Sequence, residues 1–305
     1  VNKNAAQIDH AANLLRAGKL VAFPTETVYG LGADAQNEAA VARLFAVKGR
    51  PTWHPLIVHL PSSALLSQWA KHVPDVAWRL AEHFWPGPLT LVLPKADVVP
   101  AAVTGGQASI GLRVPDHPLA LTLLQKFGSG VAAPSANRFG KVSPTTAQHV
   151  YHDLGDDVDF VLDGGPCKVG VESTVLSLLA DEPQILRPGG VTQEELSAVL
   201  GRRVPVVAQS EVRSPGLLQS HYAPRAQLRL VPAEHMAEEI ETLTATGKRV
   251  HLLTPDEIAA PNLFAALRAA DDAGAEIILA TLPHEKGLAR AVADRLRKAA
   301  AERDN

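Results

Sequence analysis

The chain is short of cysteine, of aromatic residues and of net charge, and each shortage removes a class of function. A single cysteine, Cys167, excludes an internal disulfide framework. With no secretory leader legible, a reducing cytosol is the expected location. No apolar run approaches the ~20 residues that a membrane-spanning helix needs. A formal net charge of −3 argues against a protein built mainly to coat nucleic acid, while leaving room for a local basic pocket. Aromatic residues make up only 5%, so clusters for stacking successive bases are missing. The 12 histidines form neither H-E-x-x-H nor a Cys/His cluster, which disfavours a structural zinc site. What remains is an average globular balance, 46% hydrophobic and 20% charged, on 305 residues, enough for two cores.

The stretch that organises the rest is Val21 to Gly32. Leu20 to Phe23 follow an amphipathic helix, Gln7 to Arg16, that stops at Gly18, and they read as a short buried strand. The strand meets Pro24 and runs into Thr25, Glu26, Thr27 and Tyr29. Hydroxyls, a carboxylate and a phenol at the end of a buried strand suit a ligand. Gly30 and Gly32 then permit a sharp turn or a close approach of backbone to ligand. The run from Gly30 to Ala35 fits G-x-G-x-x-A, but a polar segment precedes it, and the region about 20 residues on, where a ribose-binding acid belongs, is basic. A small-molecule pocket is therefore favoured over a dinucleotide fold.

Further polar inserts recur at the ends of apolar runs. A helix over Asn37 to Val47 delivers Lys48-Gly49-Arg50-Pro51, two cations in one tight loop, suited to phosphate or carboxylate. His54 precedes, and His59 ends, the strand Leu56 to Leu60. Helical patterning spans Ser62 to Phe84, and Leu89 to Leu93 is a strand. In Ser109 to Val114, the residues Ser109, Gly111 and Arg113 share a face. After a helix over His117 to Phe127, a small-residue strand through Ala133 ends in Pro134-Ser135-Ala136-Asn137, compact donors and acceptors for a ligand. Lys141 and Ser143 follow. Phe160 to Leu162, Gly170 to Leu176 and Ile185 to Arg187 read as strands, the second with a polar centre. A helix over Thr192 to Leu200 closes an α/β domain of roughly 200 residues.

Ala208 to Pro224 has little periodicity and reads as a linker. It carries His221 and Tyr222 side by side, the makings of a lid over the site. Beyond it, strands near 228–231, 250–253 and 277–280 alternate with helices, giving a small Rossmann-like parallel α/β domain. Its βα turns lack a nucleotide-binding glycine pattern, so no chemistry is assigned to it. The expected boundaries are 1–207, 208–225 and 226–305. A chain cut near Val207 is expected to fold but to be impaired.

Together, Pro24-Thr25-Glu26-Thr27-x-Tyr29-Gly30-Leu31-Gly32, Lys48-Gly49-Arg50-Pro51, Pro134-Ser135-Ala136-Asn137 and Glu172-Ser173-Thr174-Val175 resemble the YrdC/Sua5 family. Ser214-Pro215-Gly216 followed by His221-Tyr222-Ala223-Pro224 is similar to the linker of its two-domain Sua5 branch. The resemblance implies a YrdC-like twisted open sheet with helices and an L-threonylcarbamoyladenylate synthase, a nucleotidyltransferase. It would join L-threonine, bicarbonate and ATP, with Mg²⁺ arriving on the ATP, and would feed downstream threonylcarbamoyl-transfer machinery acting on adenosine 37 of tRNA. By motif match, Thr27, His59, Arg113 and Ser173, with Ala133 by its backbone, line the threonine side. Lys48, Arg50, His54, Ser109, Ser135, Asn137, Ser143, Arg187 and His221 line the nucleotide side, with Lys48 and Arg50 as the catalytic cations. The alternatives are an RNA-binding module without catalysis, or a carbamoyltransferase module of the same fold. The chain lacks the cysteine-rich zinc segments that accompany the latter.

Overall fold

The computed structural model describes residues 3–207, 212–213 and 220–301. Nine short strands form one mixed sheet: β1 (Val21–Phe23), β2 (Gly30–Asp34), β3 (Ile57–His59), β4 (Leu89–Pro94), β5 (Ser109–Arg113), β6 (Val131–Ala132), β7 (Phe160–Val161), β8 (Thr174–Ser177) and β9 (Gln184–Arg187). Their spatial order is β7-β1-β2-β6-β3-β5-β4-β8-β9. Strands that run as uninterrupted apolar triplets or quartets are buried on both faces, and helices cover them. One apolar cluster joins Leu31, Val58, Leu91, Leu112 and Leu176 of the sheet to Val41, Leu44, Leu80 and Leu196 of the helices. Leu196 lies on the helix Gln193–Leu200, whose Thr192/Glu195 capping box sets its start.

Three local expectations change. Gly30 and Gly32 do not turn; they lie in β2, antiparallel to β1, with Phe23 opposite Gly30 and Val21 opposite Gly32. A Cβ on Gly32 would sit 2.8 Å from the Phe23 ring and 2.9 Å from Val131, so glycine is required here by packing. The reversal happens earlier, between Pro24 and Tyr29. Helical structure between Ser62 and Phe84 is broken into Ser63–Leu65, Leu66–Trp69 and Asp75–Phe84, because Pro74 cannot continue a helix and starts a new one. Finally, Gly170 to Ser173 are not strand; β8 begins only at Thr174. Gly170 has φ +72°, and a Cβ there would lie 2.4 Å from the Ala260 carbonyl oxygen.

That last contact comes from the small C-terminal unit. Its strands β10 (Gln227–Leu230), β11 (Val250–Leu252) and β12 (Ile277–Ala280) are parallel in the order β10-β12-β11. Helices Met236–Ala245, Leu263–Asp272 and Ala289–Ala300 flank them. This unit does not close on itself. Its buried Phe264, Leu267 and Leu296 share one apolar cluster with Val28, Val142 and Val171 of the first unit, and with Tyr222. Tyr222 holds φ +62°, a left-handed conformation unusual for a bulky residue, and its ring stacks on Phe264 at 5.6 Å.

The lid expectation falls largely on 208–211 and 214–219, outside the described residues. Of the described part, Arg213 is docked on the first unit, donating to the carbonyls of Trp53 (3.1 Å) and Gly105 (3.0 Å).

Candidate active site

A cleft of about 590 Å³, open mouth included, opens where the reversal after β1, the ends of β3, β5, β6 and β9 and the segment before β8 converge. The reversal is shaped by Thr25: its hydroxyl donates to the Val28 carbonyl at 2.6 Å and accepts from the amide of Val28 at 3.2 Å. This turn presents Thr27, whose Oγ1 lies 2.8 Å from that of Thr25 and accepts from Arg113 Nη1 at 3.0 Å. Arg113 also donates through Nε to the Gly87 carbonyl. Its Nη2 lies 2.6 Å from Glu26 Oε1, a buried ion pair without hydrogen-bond alignment. His59 borders the same corner. Burial, then the Arg113 charge, depress its pKa to about 3, so the ring is neutral and its Nδ1 has no partner among the described residues.

The opposite wall is cationic. Arg50 lies over the Phe139 ring at 5.6 Å and donates to the Pro55 carbonyl at 2.9 Å. Burial lowers its pKa to about 10, which leaves it charged at neutral pH. Arg187 donates from Nη2 to the Ser173 carbonyl at 2.9 Å and to Ser173 Oγ at 3.2 Å, and Ser173 Oγ also lies 2.8 Å from Thr90 Oγ1. His221 closes this side. Burial first, then the Arg50 and Lys48 charges, hold it far below its ordinary pKa, so it too is neutral.

Of the residues read from the sequence, Thr27, Arg50, His59, Arg113, Ala133, Ser135, Ser173, Arg187 and His221 line the cleft together. The others stand behind it. Lys48 turns inward from the last turn of the helix Glu38–Lys48, and its ammonium donates at 2.5 Å to the carbonyls of both Ser135 and Asn137. It thereby braces the Pro134–Asn137 loop instead of facing the cavity. Asn137 donates to the Arg138 and Lys141 carbonyls. Ser143 donates to Glu172 Oε1 at 2.6 Å. His54 is sandwiched between Trp53 and Phe139, and Ser109 borders a separate small cavity with Thr90 and Val175. The Tyr29 phenol, read as facing a ligand, donates instead to the Gly165 carbonyl at 2.8 Å and accepts from the Gly164 amide, tying β2 to the loop after β7.

Sequence reading left Glu26 and Glu172 without roles. Glu26 offered a signal, since a carboxylate beside a buried strand needs a cation. Glu172 lines the cleft, and its partner Arg295 comes from the last helix of the small unit, Nε to Oε2 at 2.7 Å. Burial pushes the Glu172 carboxyl up, but Arg295, Arg187 and the Ser143 bond outweigh it and hold it below the usual carboxylate range. No group of three histidine, cysteine or acidic side chains that could hold a metal occurs among the described residues.

Two arginine-lined corners, neutral imidazoles and small hydroxyls gathered in one buried cleft define an α/β protein built to hold small anionic ligands. The chain belongs to the Sua5/YciO/YrdC family, whose model, described as "Telomere recombination", matches residues 13–189. A second model, described as "Threonylcarbamoyl-AMP synthase, C-terminal domain", matches residues 191–301. The threonylcarbamoyl-AMP synthase of Pyrococcus abyssi is 46% identical, over 96% of this chain and 94% of its own. That of Bacillus subtilis is 41% identical over 99% and 95%. A crystal structure of P. abyssi Sua5 complexed with L-threonine superposes with a TM-score of 0.90 at 45% identity, covering 96% of this chain and 94% of that one.

Proposed function

We propose that the chain is a threonylcarbamoyl-AMP synthase, a nucleotidyltransferase that makes threonylcarbamoyl-AMP and pyrophosphate from L-threonine, bicarbonate and ATP. The observation that carries this reading is the division of one cleft into two cationic corners, Arg113 with Thr27 and His59 on one side, Arg50 with Arg187 and His221 on the other. Near full-length likeness to named synthases supports it.

In this reading Arg113 takes the threonine carboxylate, and Thr27, Ser173 and the neutral His59 orient its amine and hydroxyl. The amine and bicarbonate combine to a carbamate with loss of water. A carbamate oxygen then attacks the α-phosphorus of ATP while the bond to the β-phosphate oxygen breaks. Such transfers need placement and charge neutralisation more than covalent help. Arg50 and Arg187 neutralise the charge that develops on the departing pyrophosphate, and Lys48 acts through the Ser135–Asn137 backbone it braces. Glu26 and Glu172, the carboxylates nearest the cleft, are each held on an arginine. Mg²⁺ would therefore be carried by ATP oxygens and water rather than by this chain. The product is a reactive mixed anhydride, so a transferase that delivers the threonylcarbamoyl group to an amine, on tRNA in this reading, consumes it.

The direct test is pyrophosphate release from ATP, with threonine and bicarbonate each omitted in turn. Release is expected only when both are present, with an AMP adduct accumulating; equal release without threonine refutes the reading.

The Glu26–Arg113 pair gives a second expected result. Glu26→Gln leaves a buried arginine without its counter-ion, a change that costs about 3 kcal/mol or more. A threonine carboxylate supplies the missing charge. Saturating threonine is therefore expected to raise the melting temperature of Glu26→Gln by more than it raises that of the unmodified protein. An equal or smaller rise would mean that Glu26 does not compete with threonine for Arg113.

A further inference from the structure

The two carboxylates at the cleft are neutralised differently. Glu26 meets an arginine of its own unit, whereas Glu172 meets Arg295, delivered by the small unit across an intervening length of 123 residues. The Arg295 side chain is fully buried, and the Glu172 side chain is 9% exposed. A buried guanidinium on a surface helix needs a reason, since burial without partners is costly. Its bonds supply one. Besides Glu172, Arg295 donates from Nη2 to the Pro188 carbonyl at 3.1 Å, pairs with Asp294, and lies 5.0 Å from the centre of the Tyr222 ring. Pro188 directly follows Arg187, and Glu172 directly precedes Ser173, so one guanidinium grips both chain segments that carry the Arg187–Ser173 contact.

We infer that Arg295 is a positioning residue for the synthase reaction: the small unit completes the active site by neutralising Glu172 and fixing the Glu172–Ser173 and Arg187–Pro188 segments. This rests on the function proposed above.

Charge explains why the interaction matters for substrates and not only for folding. The cleft must receive a triphosphate and a carboxylate. Glu172 lines it as an anion, with Ser143 on Oε1 and Arg295 on Oε2. Without Arg295, the cation nearest in role is Arg187, and Glu172 draws it away from Ser173 and from the phosphates. Losing Arg295 thus places an uncompensated negative charge in an anion site and displaces one of its arginines. Glu172→Gln on the same background removes that charge and leaves Arg187 undisturbed. A role in packing alone predicts the opposite, since the second substitution only weakens the contact further.

The test compares full-length protein with Arg295→Met, Arg295→Lys, Glu172→Gln and the double variant Arg295→Met/Glu172→Gln. Pyrophosphate release is measured with ATP and threonine varied separately, ATP binding by calorimetry, and folding by circular dichroism. Arg295→Met is expected to raise the KM for ATP and weaken ATP binding about tenfold to a hundredfold, the scale of one charge-assisted contact. The double variant is expected to recover at least about tenfold of that loss. Arg295→Lys, which keeps the charge but not the fork, should fall between them and remain folded. Wild-type kinetics and ATP affinity in a folded Arg295→Met protein would overturn the inference. So would a double variant no better than the single one. Should Arg295→Met not fold, Arg295→Lys and its pairing with Glu172→Gln carry the same comparison, and unchanged ATP affinity in both overturns it. A wild-type protein that binds ATP but releases no pyrophosphate would refute the proposed reaction instead, while the binding comparison still reads the Arg295 contact.

Discussion

Replacing Arg113 with lysine is expected to raise the KM for threonine about tenfold to a hundredfold, while the KM for ATP stays within about a factor of two. The geometry makes the effect selective. Arg113 already spends Nε on the Gly87 carbonyl and Nη1 on Thr27, so the guanidinium is oriented before any ligand arrives. A planar fork held in this way can meet a carboxylate with two parallel bonds. A lysine ammonium keeps the charge and can keep the pairing with Glu26, but it cannot hold Thr27, Gly87 and a carboxylate together. The ATP corner, with Arg50 and Arg187, is untouched. Separate saturation curves for the two substrates decide the matter. Equal shifts in both KM values would move Arg113 out of the threonine corner.

The second large effect concerns the small unit. Ending the chain after Val207 is expected to lower the melting temperature by roughly 10–20 °C and to abolish most turnover. This differs from the sequence-based expectation of a folded but impaired protein. Val28, Val142 and Val171 are buried only in the cluster they share with Phe264, Leu267 and Leu296. Exposing them removes about 1.5–3 kcal/mol for each fully buried side chain. A typical domain holds only about 5–15 kcal/mol in total. Glu172 returns to water in the truncated protein, so its charge adds less to this loss than the valines do. Thermal melts of full-length and truncated protein check the effect. A truncated chain melting within about 3 °C of full length would mean that the first unit's core is self-sufficient.

These two cases also mark where the sequence stops being readable. Apolar runs such as Leu56–Leu60 and Leu89–Leu93 announce strands because burial on both faces demands them, and the helices between them show their periodicity. The α/β class and the three-strand tail follow directly. Polar residues at strand ends, Thr27, His59, Arg113 and Ser173, are conspicuous because nothing in a core needs them, and they do meet in one cleft. What fails is the direction of long side chains and the pairing of distant ones. Lys48 and Arg50 look alike in the sequence, yet a helix end sends one under a loop and the other into the cavity. Gly30 and Gly32 suggest a turn, while the close approach of Phe23 and Val131 is the actual demand. Arg295 sits in a helix so rich in charge that it reads as a solvated face. Only the fold shows that it is buried.

Tyr222 places the chain between two incompatible optima. Its backbone favours glycine, and a left-handed conformation costs an ordinary residue about 1–2 kcal/mol. Its ring fills the space between Phe264 and Arg295, and removing such a buried ring costs about 3–5 kcal/mol. Glycine would relax the backbone and empty the space; an asparagine would tolerate the angle but could not stack. Every single substitution improves one term by sacrificing the larger one. The position is therefore a trap for stabilising mutagenesis. A survey that scores backbone angles would flag it as the first residue to repair, and repairing it would loosen the seam between the two units.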